Sequence, residues 1–290
     1  MPIVDPPRPD PGQIGVVVDR MIDFAFDGGQ IEFELRRDGN RVIQIARSRY
    51  AVPIMLAWQL GDLANLEPTT PIEGVAMLPA AAMPLREGAA VELADFAIVD
   101  PSSRYQRRIT FFHARFGDPR AEPTPYQYRL PYVRPQKFSV LQGFHGTFSH
   151  RGSNEFAVDF DCPVATPVVA TRPGIVVAAN ASAQGAGQTP EYLEYRRTNF
   201  VLVLHDDGTI GEYMHLSPSS VEVKPGQRVK RGQELALSGN TGFSSTPHLH
   251  FQVMTAATDG IAARSFPFQI AVAPGRAEEP VQGQVYAAWE

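Results

Sequence analysis

Apolar and polar residues alternate with a period of two along much of this 290-residue chain. In the first half, Ile31, Phe33 and Leu35 alternate with Glu32 and Glu34, which predicts a strand with one buried face. Glycine-containing turns flank this run, and the same alternation predicts further strands over residues 42–46, 51–58, 91–99 and 109–114. Short strands separated by turns predict an N-terminal β-sandwich.

The second half repeats this pattern after a segment rich in proline. Residues 116–136 contain Pro119, Pro123, Pro125, Pro131 and Pro135, which predicts an ordered linker and a domain boundary. We therefore expect a β-rich domain over residues 1–136 and an antiparallel β-sheet domain over residues 137–290. Its strands are predicted over residues 138–141, 157–160, 168–171, 174–179, 200–205, 211–215 and 247–254. Residues 181–197 are predicted to form a long loop with room for a helical turn.

Composition limits the possible partners. The net charge is −5 and no basic run occurs, so we expect no nucleic-acid partner. No apolar stretch approaches the roughly 18 residues of a membrane span. Cys162 is the single cysteine, so no intrachain disulfide can form. The first residues, 1–13, lack the basic-then-apolar order of a signal peptide, which predicts either an unexported protein or a mature form.

Histidines concentrate in the predicted second domain, residues 137–290, which holds six of the seven. The densest group is Pro247-His248-Leu249-His250-Phe251. Residues two apart in a strand face the same side, so both imidazoles would share one surface while Leu249 and Phe251 face the core. Two imidazoles on one face suit a metal ligand beside a general base. Taken alone, a chance pairing explains the group equally well.

Asp159 lies in the middle of the apolar run Ala157-Val158-Asp159-Phe160. If Val158 and Phe160 face inward, the carboxylate faces the opposite side and needs a partner, because an unpaired buried charge costs several kcal/mol. The carboxylate could bind a metal ion, cap a turn or pair with an arginine. His150 precedes it, and His215 ends a predicted strand within Tyr213-Met214-His215; alone, either could be structural.

Together, His150…Asp159, Tyr213-Met214-His215 and His248-Leu249-His250 resemble the lysostaphin-like, or LytM-like, zinc metallopeptidases, which act on peptidoglycan. The resemblance runs from about Gln142 to Met254 and includes Ser238-Gly239-Asn240-Thr241-Gly242. Carried over motif by motif, it implies that His150, Asp159 and His250 bind one zinc ion per chain, leaving a fourth coordination position open. It also implies that His215 and His248 are the catalytic histidines.

The chain departs from the family pattern near the first ligand. Eight residues separate His150 from Asp159, where the common form has three. We interpret the extra residues as a longer loop and prefer His150 to the nearby His145. Cys162 stands where many relatives carry an apolar residue, and its thiolate would also bind zinc. Three protein ligands are already present without it.

The resemblance implies a zinc-dependent endopeptidase that hydrolyses peptide bonds in peptidoglycan stem peptides or cross-links in an open groove. It further implies a periplasmic or cell-envelope location and an accessory N-terminal domain, and we expect a monomer. One alternative is a catalytically inactive relative that binds cell wall or regulates a hydrolase. Others are a protease for glycine-rich proteins and a biotin- or lipoyl-type carrier, suggested by the turn at residues 223–233. The presence of all five site residues favours the enzyme.

Overall fold

The computed structural model of the protein describes residues 18–82 and 88–290, so the prediction for residues 1–13 lies outside the described residues. Within these ranges no α-helix occurs, and the mostly β fold class is confirmed. The helical elements there are short 3₁₀ turns at Asp27–Gly29, Gly152–Asn154, Pro190–Leu193 and Tyr195–Arg197. None of the described helices is long and apolar enough to cross a membrane.

The first half forms two antiparallel sheets, as a sandwich requires. Their strands are β1 (Val18–Phe26), β2 (Ile31–Asp38), β3 (Arg41–Ser48), β4 (Ile54–Ala64), β5 (Leu66–Pro68), β6 (Glu73–Leu78), β7 (Val91–Ile98) and β8 (Gln106–Phe116). One sheet has the order β1-β2-β3-β7-β5 and the other the order β6-β4-β8. Phe33 of β2 and Phe112 of β8 meet edge to face with ring centroids 5.8 Å apart. Aromatic packing therefore joins the two sheets of this half.

The second half contains the larger sheet. Its strands are β9 (Gln127–Tyr128), β10 (Lys137–Gln142), β11 (Val158–Phe160), β12 (Pro167–Val169), β13 (Gly174–Asn180), β14 (Ala186–Gly187), β15 (Phe200–Leu204), β16 (Ile210–Met214), β17 (Arg228–Val229), β18 (Glu234–Leu237), β19 (Gly242–Phe243), β20 (Leu249–Ala256), β21 (Ala263–Phe266), β22 (Gln269–Ala273), β23 (Arg276–Glu278) and β24 (Val285–Ala287).

The strand order of the main sheet is β17-β13-β15-β16-β20-β11-β10-β24, with β21 beside β20. The neighbours β15, β16, β20, β11 and β10 pair antiparallel. Val158, Phe160, Leu249 and Phe251 belong to the hydrophobic core of this half. Asp159 of β11 and His250 of β20 lie between these core residues, so their side chains point to the opposite face of the sheet. This is the face on which the sequence pattern predicted the polar residues.

The chain divides into two compact units, the first ending at Asp118 and including Ala256–Ile261, the second holding the remainder. The predicted boundary at residue 136 thus lies inside the second unit. Tyr128, Leu130 and Tyr132 are part of its core, and β9 pairs in parallel with β22. The sequence pattern did not predict that these residues are buried, because the prolines in residues 119–136 interrupt the alternation of apolar and polar positions. The accessory role of the first domain stays a prediction.

Residues 181–197 form a loop with helical turns, as predicted, but the loop is also tied to the sheet domain. Ala186 and Gly187 form β14, which pairs in parallel with β19. The two 3₁₀ turns follow, and Tyr195 packs edge to face on Phe200 at the start of β15. The loop therefore has a defined course beside the residues that follow His215 and precede His248.

Candidate metal centre and active site

Neighbouring strands of the main sheet bring together the first two candidate residues. In the antiparallel pair β11–β20, Asp159 lies directly opposite His250. Val158 and Phe251 occupy the adjacent register positions with their side chains in the core, so the carboxylate and the imidazole share the other face. His250 Nδ1 lies 2.9 Å from Asp159 Oδ1.

The third candidate, His150, comes from the loop between β10 and β11. It is fully buried, and its backbone N–H donates to the carbonyl of Gly146. Its Nδ1 donates to the carbonyl of Gly143 at 2.8 Å, because a carbonyl oxygen can only accept. The backbone of the loop thus fixes which nitrogen carries the proton, and Nε2 faces Asp159 Oδ2 at 3.2 Å.

These three residues fit a metal ion. One ligand atom from each of His150, Asp159 and His250 lies within 4.8 Å of the others. Because Nδ1 of His150 already donates, Nε2 of the neutral imidazole presents a lone pair. That nitrogen is buried, makes no hydrogen bond and stands beside a carboxylate oxygen. Two electron-rich buried atoms at this distance repel each other unless a proton or a metal cation lies next to both. The donor set of two imidazoles and one carboxylate matches that of a divalent metal.

The electrostatics of Asp159 and His250 agree with this arrangement. Burial alone would raise the pKa of Asp159, but the adjacent imidazoles of His150, His250 and His248 outweigh burial and hold it well below its usual range. Burial would lower the pKa of His250, but its hydrogen bond to Asp159 and the charges of Asp159 and Glu212 raise it. The carboxylate is therefore ionised at neutral pH.

His215 and His248 lie next to this group with their rings together. The ring centroids of His215 and His248 are 4.5 Å apart, and His215 lies 5.9 Å from His250. Nδ1 of His215 donates to the carbonyl of Thr241 at 2.7 Å, and Nδ1 of His248 donates to the carbonyl of Thr246 at 2.8 Å. Because Nδ1 of each ring is the donor, Nε2 is the nitrogen that can accept a proton. His248 Nε2 is 3.7 Å from Asp159 Oδ1.

His215 has an unusual backbone and an unusual acidity. Its φ is 63°, in the left-handed region that non-glycine residues seldom adopt. Burial, followed by the charges of His248 and His250, lowers its pKa to about 3. The ring is therefore neutral at physiological pH.

The glycine-rich motif that follows β18 packs against the backbone after His215. A side chain at Gly239 would place its Cβ 2.6 Å from the backbone nitrogen of Ser217. Gly242 has a φ of 82°, and a Cβ there would overlap the Thr198 hydroxyl. Gly239 permits the approach to the backbone after His215, and Gly242 permits the approach to Thr198. Thr241, which lies between them, places its carbonyl against His215.

Several buried polar residues around the site carried no signal in the sequence. Asn199 and Thr241 hydrogen-bond to each other and to the carbonyl of Leu216. Glu212 of β16, 2% exposed, accepts hydrogen bonds from Tyr195 and from Gln252. A charged residue on the non-core face of a buried strand is the feature that could have revealed Glu212.

The remaining histidines and the cysteine lie outside the group. His145 is exposed and pairs with Glu155 at 3.3 Å. His205 is buried and its ring tilts against Tyr128. Cys162 is a free thiol in the hydrophobic core, and burial raises its pKa well above the usual range. The geometry thus brings together the five residues singled out in the sequence, and it gives neither His145 nor Cys162 a place in the metal-binding group.

Residues 153–261 match the model of peptidase family M23. This range contains Asp159, His215, His248 and His250, and it begins three residues after His150. Apart from residues 256–261, which belong to the first unit, the match lies within the second unit and includes most of the candidate site.

Individual relatives agree with the family match. The chain is 42% identical over 105 residues to glycyl-glycine endopeptidase ALE-1 of Staphylococcus capitis, which covers 36% of this chain and 25% of that protein. It is 38% identical over 96 residues to peptidoglycan DD-endopeptidase ShyA of Vibrio cholerae, covering 33% and 19%. The solved catalytic domain of lysostaphin from Staphylococcus simulans is 31% identical, with 45% and 87% covered and a TM-score of 0.31.

The chain thus spans about a quarter or less of the length of these two curated relatives. The second half of the chain belongs to peptidase family M23, the lysostaphin-like and LytM-like peptidases.

Proposed function

We propose that this protein is a zinc-dependent endopeptidase that hydrolyses peptide bonds in bacterial peptidoglycan, in its stem peptides or cross-links. The observation that carries the proposal is the convergence of five residues on one face of the main sheet. His150, Asp159 and His250 are the proposed zinc ligands. His215 and His248 stand beside them as the proposed catalytic histidines.

The ligand set favours zinc, with one ion per chain. Zinc accepts nitrogen and carboxylate ligands at about 2.0–2.1 Å, so the ligand atoms of a tetrahedral site are about 3.3 Å apart. Oδ2 of Asp159 lies 3.2 Å from Nε2 of His150, and Oδ1 lies 2.9 Å from Nδ1 of His250, so each carboxylate oxygen faces one imidazole nitrogen at close to this value. Three protein ligands with an open fourth position are typical of catalytic rather than structural zinc.

The two histidines would supply the proton transfers. When bound, zinc would supply Lewis-acid chemistry, activating water as a nucleophile and polarising the scissile carbonyl. His248, nearer to Asp159, is the proposed base: its Nε2 takes a proton from the attacking water and returns it to the leaving amine. His215 is the proposed partner. Its low pKa means that its Nε2 holds a proton only transiently, which suits a relay.

The substrate class rests on the relatives. ALE-1 is named a glycyl-glycine endopeptidase and ShyA a peptidoglycan DD-endopeptidase, so the part of the chain that matches them is proposed to cut peptides of the cell wall. This substrate places the working protein in the periplasm or the cell envelope. We further propose that the first unit is an accessory domain and that the protein is a monomer.

Digestion of purified sacculi tests the proposal. The full chain should release muropeptides, identified by mass, and a chelator should abolish the release until zinc is restored. H215A and H248A should lose cleavage while keeping most of their zinc, whereas H250A should lose both. An inactive, wall-binding relative would bind sacculi without releasing fragments. Full-rate cleavage by zinc-free H250A would refute the ligand assignment.

A further inference from the structure

A buried glutamine, Gln142, connects the two parts of the chain that supply candidate metal ligands. It is the last residue of β10 and pairs across the sheet with Asp159 of β11. Its side-chain Nε2 donates to Asp159 Oδ2 at 3.1 Å and to the hydroxyl of Ser149 at 2.8 Å. Its Oε1 accepts the backbone N–H of Phe148 at 2.9 Å and of Ser149 at 3.1 Å. Both donors and both acceptor positions of the amide are thus used.

This network fixes the orientation of the amide. If oxygen and nitrogen were exchanged, the NH₂ group would face the N–H groups of Phe148 and Ser149, and donors would oppose donors. The backbone therefore forces the NH₂ group towards Asp159. The carboxylate gains a hydrogen bond on Oδ2 without a second charge, while Oδ1 faces His250.

The same side chain sets the course of the loop that ends in His150. Phe148 and Ser149, whose N–H groups it binds, immediately precede His150. The loop also crosses directly over it, because a Cβ at Gly146 would overlap the aliphatic part of Gln142. Gly146 has no left-handed backbone, so this overlap is the reason for a glycine there.

We infer that Gln142 is a positioning residue for the metal centre, orienting Asp159 directly and His150 through the backbone of residues 146–149. The inference rests on the proposed function, since it assumes that these residues bind zinc. Partners that orient metal ligands typically change metal affinity by roughly 10- to 100-fold when removed.

The test compares the zinc affinity of metal-free full-length variants, measured by competition with a chromophoric chelator. Q142M, which keeps the length of the side chain but neither hydrogen-bonding group, should bind zinc roughly 10- to 100-fold more weakly than wild type. Its cobalt(II) derivative should show an altered visible spectrum, a readout independent of activity. Q44M is the matched control, because Gln44 is also buried and its side chain donates to backbone carbonyls in the first unit.

A second variant covers the case in which Q142M does not fold. G146A keeps the amide but pushes the loop and Gln142 apart, so it should weaken zinc binding in the same direction. Wild-type affinity in folded Q142M, or in folded G146A when Q142M does not fold, would overturn the inference while leaving the proposed function intact. Failure of the wild type itself to bind zinc would instead refute the proposed function.

Discussion

Thr241 offers the sharpest test of how His215 is held. Thr241 is buried, and its hydroxyl accepts the backbone N–H of Asn199 at 3.0 Å and donates to the carbonyl of Leu216 at 2.9 Å. Its own carbonyl accepts the Nδ1 proton of His215. T241V removes the hydroxyl at nearly constant volume and keeps the carbonyl, so it can affect His215 only by displacing the backbone.

The expected loss has two components. A buried N–H left without its acceptor costs about 1–3 kcal/mol in the free energy of unfolding. For a unit of this size, that lowers Tm by roughly 2–12 °C. A misplacement of about 1 Å near the reacting atoms can cost about 100-fold in rate. We therefore expect T241V to lose roughly 10- to 100-fold in kcat, with zinc content unchanged, and T241S to retain near wild-type activity.

The assay measures kcat, zinc content and Tm on the same preparations, with T209V as the control. Thr209 is fully buried, and its hydroxyl hydrogen-bonds to Asp207 and His205, which are outside the candidate site. T209V should lose comparable stability and keep its kcat. Equal kcat values for T241V and T209V at equal loss of Tm would show that the Thr241 hydroxyl has no role in placing His215.

Three further predictions concern the second unit. D159N should lose zinc, measured by metal analysis, whereas D207N, which also changes a buried carboxylate, should be less stable yet keep its zinc. Burial lowers the pKa of His205 to about 3, so its neutral form stabilises the fold above pH 6.5 and this contribution is lost as pH falls. Between pH 7 and 5 the loss is about 2 kcal/mol, and H205Q should show a correspondingly flatter pH dependence in denaturant unfolding; an unchanged slope would contradict the assignment. G239A should lower both Tm and kcat, because its Cβ would press on the backbone at Ser217; wild-type values for both would mean that the close approach is not required.

Alternation predicted the long strands that carry an apolar face, such as β2 and β20. The opposite face of β2 was expected to be exposed, but Glu32 and Glu34 are buried as well, and so is every residue of β20. Strands of two or three residues, such as Leu66–Pro68 and Arg276–Glu278, carry too few positions to show a period. Their pairing depends on partners far along the chain, which a local pattern does not contain.

The proline-rich segment shows the same limit. Residues 119–136 resemble a linker because prolines cannot continue a ladder. Yet the Tyr132 ring is fully buried, and its hydroxyl donates to the carbonyl of Tyr286 at 2.8 Å. This contact joins residues more than 150 positions apart. Only the folded chain reveals that these aromatic residues complete the core of the second unit.

At the candidate site, the sequence identified side chains but not what holds them. Strand geometry alone placed Asp159 and His250 each on the side of its strand away from the core, whereas their position opposite each other depends on the pairing of β11 with β20. The acceptors that set the tautomers of His150, His215 and His248 are backbone carbonyls. Any residue type offers a carbonyl, so these contacts leave no signature in the sequence. Gln142 is linked to His150, and Thr241 to His215, through such backbone groups, which explains why neither stood out.

The charges on this face of the sheet give a physical reason for a divalent ion. Asp159 and Glu212 are both buried on the side away from the core, and the Glu212 charge reaches His250. The hydrogen bonds that Glu212 accepts come from the neutral groups of Tyr195 and Gln252. Two buried carboxylates are costly without compensation. A 2+ ion held by His150, Asp159 and His250 would lie beside both carboxylates, so the second carboxylate favours metal binding rather than opposing it.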